Sequence, residues 1–238
     1  MLNNINILLV EPTHPGNIGA TARAMKTMGL SKLSILNPPA IFPNADSTAL
    51  AAGADDLLVN ANIVTSMNDA LAHSQIIFGT SARERRLDIP LLSPEEAAQL
   101  IIKNSTSTIT LMFGREHAGL TNDELLRCHY HVHIPSNPDY SSLNLAAAVQ
   151  IMAYEIRKNF LHQTLVEKPT EETIDYAADH QVQLLYSRLE KTLIHLDFMR
   201  EDSPGKSIVR LRRLFNRARL EKTEFDLLMG LLKAIDKS

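Results

Sequence analysis

His131-Val-His-Ile-Pro-Ser-Asn-Pro-Asp-Tyr-Ser-Ser-Leu-Asn-Leu-Ala-Ala-Ala-Val-Gln150 joins a strand to an apolar, small-residue helix through a polar loop. Residues 130–134 have the β-branched and aromatic character of a strand, and Pro135 and Pro138 stop regular structure and stiffen the connection to the helix. Ser141 or Ser142 is the expected helix cap. From residue 143 to 156 nearly every side chain is apolar or small, so this helix has little solvated face and belongs in a core or an interface. Its free N–H groups and positive dipole end stand where the loop delivers two serines and an asparagine, which suits a polar or anionic ligand. On its own the segment reads better as a well-capped core helix.

Working outward, strand-like runs at residues 5–10, 33–36, 75–79, 108–113 and 130–134 alternate with helical patterns near 18–28, 66–73, 94–103 and 142–160. That rhythm predicts an α/β fold, a mainly parallel sheet with helices on both faces. Ligands in such sheets gather at the carboxyl ends of the strands. A linker near residues 161–169, the helix-start signature Thr170-Glu-Glu and purely helical patterns thereafter divide the chain. One domain spans residues 1–164, and a small all-α C-terminal domain spans 165–238.

The 238 residues give room for one ordinary domain and a smaller appendage, and 45% hydrophobic content supplies a core. Apolar runs fall short of a membrane span, and Met1-Leu-Asn-Asn-Ile-Asn-Ile7 has neither the basic region nor the cleavage site of a signal peptide. A cytoplasmic protein with no membrane partner is expected. The single cysteine, Cys128, excludes an internal disulfide and a cysteine-based zinc cluster, and is expected as a reduced, partly buried thiol.

Net charge is −3, unevenly spread. Arg200, Lys206, Arg210, Arg212, Arg213, Arg217, Arg219 and Lys222 face only Glu201, Asp202 and Glu221 in the same segment. On a helix starting near Ser207, positions 211, 214 and 215 can face inward while the arginines project, as a phosphate-tracking face requires. A merely solvated helix would also expose them.

The loops after the strands carry the remaining chemistry. Glu11-Pro-Thr-His-Pro-Gly-Asn-Ile-Gly-Ala-Thr-Ala-Arg-Ala-Met25 is a polar turn feeding a helix, and Gly16 and Gly19 allow close backbone approach. Its spacing matches neither the P-loop nor G-x-G-x-x-G, which counts against nucleotide hydrolysis and Rossmann dinucleotide binding. Asn17 near the helix start and Arg23 about one and a half turns on are expected on roughly the same edge. Gly79-Thr-Ser-Ala-Arg-Glu-Arg-Arg86 offers small side chains and then Arg83, Arg85 and Arg86 for RNA phosphates. In Leu111-Met-Phe-Gly-Arg-Glu-His-Ala-Gly-Leu120, Gly114 and Gly119 bracket a tight loop holding Arg115 and Glu116, and Thr121-Asn-Asp-Glu124 is a capping box. His129, His131 and His133 alternate toward one face at metal-ligand spacing, but no acidic residue or cysteine completes a set, so no metal is expected. Met25, Met28 and Met112 read as core filler.

Three of these segments, Asn17-Ile-Gly-Ala-Thr-Ala-Arg-Ala-Met25, Phe113-Gly-Arg-Glu-His-Ala-Gly-Leu120, and Ile134 with Ser141-Ser-Leu-Asn-Leu-Ala-Ala-Ala-Val149, follow successive strands in this order. In them the chain resembles the SPOUT superfamily of knotted methyltransferases, in its TrmH-like branch, over residues 1–160. Met25-Lys-Thr-Met-Gly-Leu30, Gly79-Thr-Ser-Ala-Arg83 and Cys128-His-Tyr-His131 point most closely to the bacterial TrmJ tRNA ribose 2′-O-methyltransferases. The resemblance implies a C-terminal trefoil knot, S-adenosylmethionine as cofactor, and a homodimer with a shared active site, which suits the apolar helix over 143–156. It implies a cofactor pocket of Thr80, Ser81, Ala82, Gly114, Ile134, Ser141, Ser142 and Leu143. Arg23 matches the family's catalytic arginine. Because guanidinium keeps its proton at neutral pH, positioning the target and stabilising a developing oxyanion is its role, with Asn17, Ser142 and Asn144 completing the hydrogen-bond network. Glu116 braces the pocket. RNA contacts are expected from Arg23, Arg83, Arg85, Arg86, Arg115, Arg210, Arg213 and Arg217. The implied substrate is the 2′-hydroxyl of cytidine or uridine at nucleotide 32 of tRNA; a ribosomal RNA 2′-O-methyltransferase and a non-catalytic RNA-binding protein on the same scaffold are the alternatives.

Overall fold

The computed structural model describes residues 2–82, 87–165, 174–200 and 207–236. Among these, β1 (Ile5–Val10), β2 (Lys32–Leu36), β3 (Asn62–Val64), β4 (Ile76–Ser81), β5 (Leu91–Leu92), β6 (Ile109–Phe113) and β7 (Tyr130–His133) form one sheet in the order β3-β2-β1-β6-β4-β7-β5. Every pairing is parallel. The helices are α1 (Pro15–Met28), α2 (Ala45–Ala51), α3 (Asp55–Val59), α4 (Met67–Leu71), α5 (Pro94–Lys103), α6 (Asn122–Leu125), α7 (Leu145–Leu165), α8 (Asp179–His195), α9 (Ser207–Ala218) and α10 (Lys222–Ile235).

The central strand shows why the sheet is parallel and covered. β1 reads Ile-Asn-Ile-Leu-Leu-Val and all but Asn6 is buried, the near-continuous apolar run of a strand packed on both faces. Ile5, Ile7 and Leu9 join one layer with Ile18, Met25, Ile101, Val149 and Ile156 of α1, α5 and α7. Leu8 and Val10 join the other with Leu71, Leu125 and Cys128. The expected helices on both faces are present. Cys128 is buried completely, not partly, with its Sγ 3.8 Å from Met112 Sδ, and burial pushes the thiol pKa up. Met25 and Met112 are fully buried and Met28 packs against the core.

The short elements β3, β5, α2 and α3 are additions to the sequence expectation. α2 crosses α1 at Gly19, where an added Cβ would lie 2.0 Å from the Ser47 carbonyl oxygen, so only glycine permits the approach.

α8, α9 and α10 pack around Leu185, Tyr186, Phe225 and Leu232. They are fastened to the sheet layer by several bonds. Asp179 N–H donates to Ser74 O (2.8 Å), Gln75 Nε2 to Tyr176 O (2.8 Å) and Asn216 Nδ2 to Leu126 O (2.9 Å). Arg127 and Asp179 form a largely buried ion pair. On α9, Leu211 and Phe215 are half-buried but Leu214 is 45% exposed, a correction to its expected inward position. At about 100° per residue it lies on the outer side of the line joining 211 and 215. Thr170-Glu-Glu falls outside the described residues.

Candidate active site

The carboxyl ends of β4, β6 and β7 open into a cavity of about 450 Å³. β4 delivers Thr80, Ser81 and Ala82 to its wall, the loop after β6 delivers Gly114, and the loop after β7 delivers Ile134, Ser141, Ser142 and Leu143. All eight residues expected at a cofactor therefore share one concavity. Thr80 Oγ1 donates to Met112 O at 2.9 Å and ties the strands together beneath it. Gly114 is obligatory: a Cβ there would sit 2.1 Å from the Gly119 carbonyl carbon and 2.2 Å from Leu120 N. The loop doubles back tightly, with Gly119 N–H donating to Arg115 O at 2.7 Å.

Beside the cavity, one directional hydrogen-bond chain joins all three motif loops. Asn144 Oδ1 accepts from the N–H groups of Ala146 (2.9 Å) and Ala147 (3.3 Å), so Asn144, not Ser141 or Ser142, caps α7. That fixes its amide orientation, and Nδ2 donates to Asn17 Oδ1 at 2.8 Å. Asn17 Nδ2 must then donate to Glu116 Oε1, at 2.9 Å. Glu116 also accepts from Thr13 N (2.9 Å), Thr13 Oγ1 (2.8 Å) and His14 N (3.2 Å). Burial opposes ionisation of this carboxyl, but the bonds from Asn17 and Thr13 outweigh it and hold the pKa at about 2. Glu116 thus pins the turn that leads into α1, whose own N-cap residue His14 makes no side-chain cap bond. Sequence reasoning missed Thr13 and His14, whose bonds to Glu116 cross 103 and 102 residues of sequence and leave no local signal.

Arg23 lies on the exposed face of α1 and has no hydrogen-bond or ion-pair partner among the described residues. It does not share an edge with Asn17: six residues of helix rotate the two about 120° apart. Arg115, expected at RNA, is instead occupied within the fold. Its Nη1 and Nη2 donate to Glu124 (3.1 and 3.0 Å), and its Nε donates to Glu11 at 2.8 Å. Those two carboxylates raise its pKa.

Arg210, Arg213 and Arg217 project from the exposed face of α9, and Arg213 pairs with Asp88. Arg83, Arg85 and Arg86 lie outside the described residues. The alternating histidines are engaged within the fold: His129 Nδ1 accepts from Ile77 N–H (3.1 Å), and Ser81 meets the other two, His131 Nε2 at its Oγ (2.8 Å) and His133 Nδ1 at its carbonyl oxygen (3.4 Å). Among the described residues no cluster of three or more His, Cys, Asp or Glu could hold a metal ion, and no helix is long and apolar enough to cross a membrane.

A cavity at the strand ends, walled largely by loop backbone and small side chains, can hold a small ligand, and Arg23 is not among its lining residues. Residues 4–154 match the model of the SpoU rRNA methylase family, and residues 180–238 match that of the tRNA methyltransferase TrmJ C-terminal domain. The chain is 48% identical over 240 residues to the tRNA (cytidine/uridine-2′-O-)-methyltransferase TrmJ of Yersinia enterocolitica, covering 100% of this chain and 93% of that protein. The crystal structure of TrmJ from Z. mobilis superposes with a TM-score of 0.84 at 29% identity, covering 97% of this chain and 98% of that one. The SpoU methyltransferase AviRb from Streptomyces viridochromogenes in complex with the cofactor AdoMet matches with a TM-score of 0.54 at 25% identity, over 66% of this chain and 60% of that one. The chain belongs to the SpoU methylase family and, through both halves, to its TrmJ group.

Proposed function

We propose that this chain is an S-adenosylmethionine-dependent tRNA methyltransferase acting on the ribose 2′-hydroxyl of cytidine or uridine at position 32 of the anticodon loop. The observation that carries this is the meeting of the second and third motifs with the end of β4 in one cavity, to which the first motif is tied by the Glu116–Asn17–Asn144 chain. The relatives' names and the cofactor-bound family member support the substrate and the cofactor. The family model over residues 4–154 is named for ribosomal RNA methylases, but the TrmJ C-terminal match weighs for tRNA.

The residues present fit the cofactor. The cavity lies within the usual range for small-ligand sites, roughly 300–1,000 Å³, and its walls offer backbone groups and small side chains. Thr80, Ser81, Ala82, Gly114, Ile134, Ser141, Ser142 and Leu143 would hold it, and when bound it supplies an electrophilic methyl on a sulfonium. The chain's own residues do the rest. Asn144 and Asn17 keep the loops in fixed register, so the acceptor oxygen meets the methyl in line. Ser142, exposed at the cavity wall, hydrogen-bonds the ribose. Arg23 holds the neighbouring phosphate or the 2′-oxygen and stabilises its developing negative charge, keeping its own proton while the hydroxyl proton leaves to solvent water.

Arg210, Arg213 and Arg217 track RNA phosphates from a helical C-terminal domain beginning near residue 165; Arg83, Arg85 and Arg86 are RNA contacts in the same reading. A second copy of the chain completes the site. Tyr154 and Leu161, large apolar side chains about half exposed on α7, support that pairing. The trefoil knot belongs to the same reading, supported by β7 lying inside the sheet between β4 and β5. A tRNA substrate makes the working compartment the cytoplasm.

The test is methyl transfer from labelled cofactor to total tRNA, with the modified ribose mapped, for wild type, Arg23→Ala and Arg23→Lys. Wild type is expected to label the 2′-oxygen at position 32, and Arg23→Ala to lose about 100-fold or more in turnover at unchanged cofactor affinity. No transfer by wild type overturns the reading, and near-normal turnover by Arg23→Ala removes the arginine from the reaction.

A further inference from the structure

Tyr140 stands at the edge of the cavity in a conformation that gives it nothing to do in the free protein. It is 81% exposed, and its side chain has no hydrogen-bond, ring or cation partner among the described residues. It ends the 3-10 turn Pro138–Tyr140, directly before Ser141, Ser142 and Leu143 of the cavity wall. The backbone beneath it is stiff. Pro138 opens the turn, Asn137 Oδ1 accepts from Asp139 N–H (3.0 Å), Tyr140 N–H donates to Asn137 O (2.9 Å), and Ser136 Oγ donates to Ser141 O (3.0 Å). The other exposed Phe and Tyr side chains among the described residues, Tyr154 and Phe198, lie far along α7 and beyond α8 in the sequence.

A ribose cannot enter a concave site while its base stays stacked in an RNA loop, so the nucleotide must be splayed out and its base given a new surface. An aromatic ring on a rigid turn beside the cavity supplies one at little entropic cost. We propose that Tyr140 is the platform on which the base of the methylated nucleotide stacks. This rests on the ribose-methylation reading and extends it to base selection. A π-face does not read exocyclic groups, so cytidine with its amino group and uridine with its carbonyl are gripped alike. Acceptance of either pyrimidine then follows from stacking, not from hydrogen bonds to the base edge.

The experiment compares wild type, Tyr140→Phe and Tyr140→Ala on two transcripts differing only in C or U at the target position, with cofactor affinity by calorimetry and molecular mass by light scattering. Tyr140→Phe is expected to match wild type. Tyr140→Ala is expected to lose about 5- to 100-fold in kcat/KM, equally on both transcripts, with cofactor affinity and mass unchanged. The proposal is overturned if Tyr140→Ala equals wild type, if Tyr140→Phe falls as far as Tyr140→Ala, if only one transcript is affected, or if cofactor affinity or mass falls with activity. Wild type that methylates neither transcript would overturn the functional reading itself; normal wild-type transfer with unaffected Tyr140→Ala overturns the role of Tyr140 alone.

Discussion

Replacing Asn17 by Asp changes one nitrogen for oxygen and sets the hydrogen-bond chain against itself. The new carboxylate still accepts from Asn144 Nδ2, but where Asn17 Nδ2 donated to Glu116 Oε1 at 2.9 Å, two acceptors now face each other. One charge-assisted bond is lost, which costs about 1.5–3 kcal/mol at a dry site and less at this half-open one. Two like charges about 4 Å apart repel by about 4 kcal/mol at an effective dielectric constant near 20. The pair escapes the full sum by taking up a proton, and doing so near pH 7 costs a carboxyl of ordinary acidity about 4 kcal/mol. The net loss is therefore about 4 kcal/mol, or roughly 8–16 °C in Tm for a chain of this size. Because the remedy is a proton, the deficit shrinks toward about pH 5.5, as expected for coupled carboxyls. Glu116→Gln in the Asn17→Asp background supplies the missing donor: the introduced amide N–H donates to the introduced carboxylate, while the amide oxygen still accepts from Thr13. The double variant is expected to regain about 2 kcal/mol over Asn17→Asp, a coupling within the usual range for residues in direct contact. Thermal unfolding of the four proteins at both pH values measures this. A double variant no more stable than Asn17→Asp, or a deficit that does not change with pH, would refute the directional chain.

Two further outcomes are expected. Gly114→Ala drives a methyl into the backbone of Gly119 and Leu120, which cannot yield by rotating a side chain, so the loop must shift at a cost of about 1–3 kcal/mol; calorimetry should show weakened S-adenosylmethionine binding, and unchanged affinity would contradict the close approach. His129 is half-buried, and burial together with the Arg219 charge lowers its pKa to about 3. The unfolded state therefore binds the proton first: this contribution is whole above about pH 6.5 and is lost as pH falls toward about 3, by up to about 1.4 kcal/mol per pH unit. His129→Gln should flatten that acid limb in unfolding scans between about pH 6.5 and 5, and an unaltered slope would contradict it.

Where one face of an element repeats, the chain announces itself. The apolar run of β1, the amphipathic α5 and the strand-loop-helix order were readable because burial on a parallel sheet leaves a compositional trace over five or more residues. β3 and β5, at 3 and 2 residues, are too short to leave one, and α2 and α3, at 7 and 5, make no more than about two turns, too few for a helical period to stand out. The cap of α7 was ambiguous for a related reason: Ser141, Ser142 and Asn144 are all good capping residues, and only the bond from Ala146 N–H to Asn144 Oδ1 separates them. Arg115 carries an arginine's promise of phosphate, yet its partners Glu11 and Glu124 reach it through folding, Glu11 from 104 residues away. Eight residues were readable as one cavity because each lies in the last residues of a strand or in the loop after it, whereas the anchoring of the turn before α1 by Glu116 depends on a three-dimensional meeting that no local pattern encodes.

The bolts between the C-terminal helices and the sheet layer, at Ser74, Gln75, Leu126 and Arg127, have a geometric consequence. A tethered basic arm would let any polyanion settle wherever its charge happened to be densest. Under the function proposed above, α9 fixed in this way is one jaw of a caliper whose other jaw is the cavity at the strand ends, and an RNA is admitted when the span between its phosphate ridge and its exposed nucleotide matches the gap. Selection by contour, ahead of any inspection of letters, is what a rigid gauge of this kind provides.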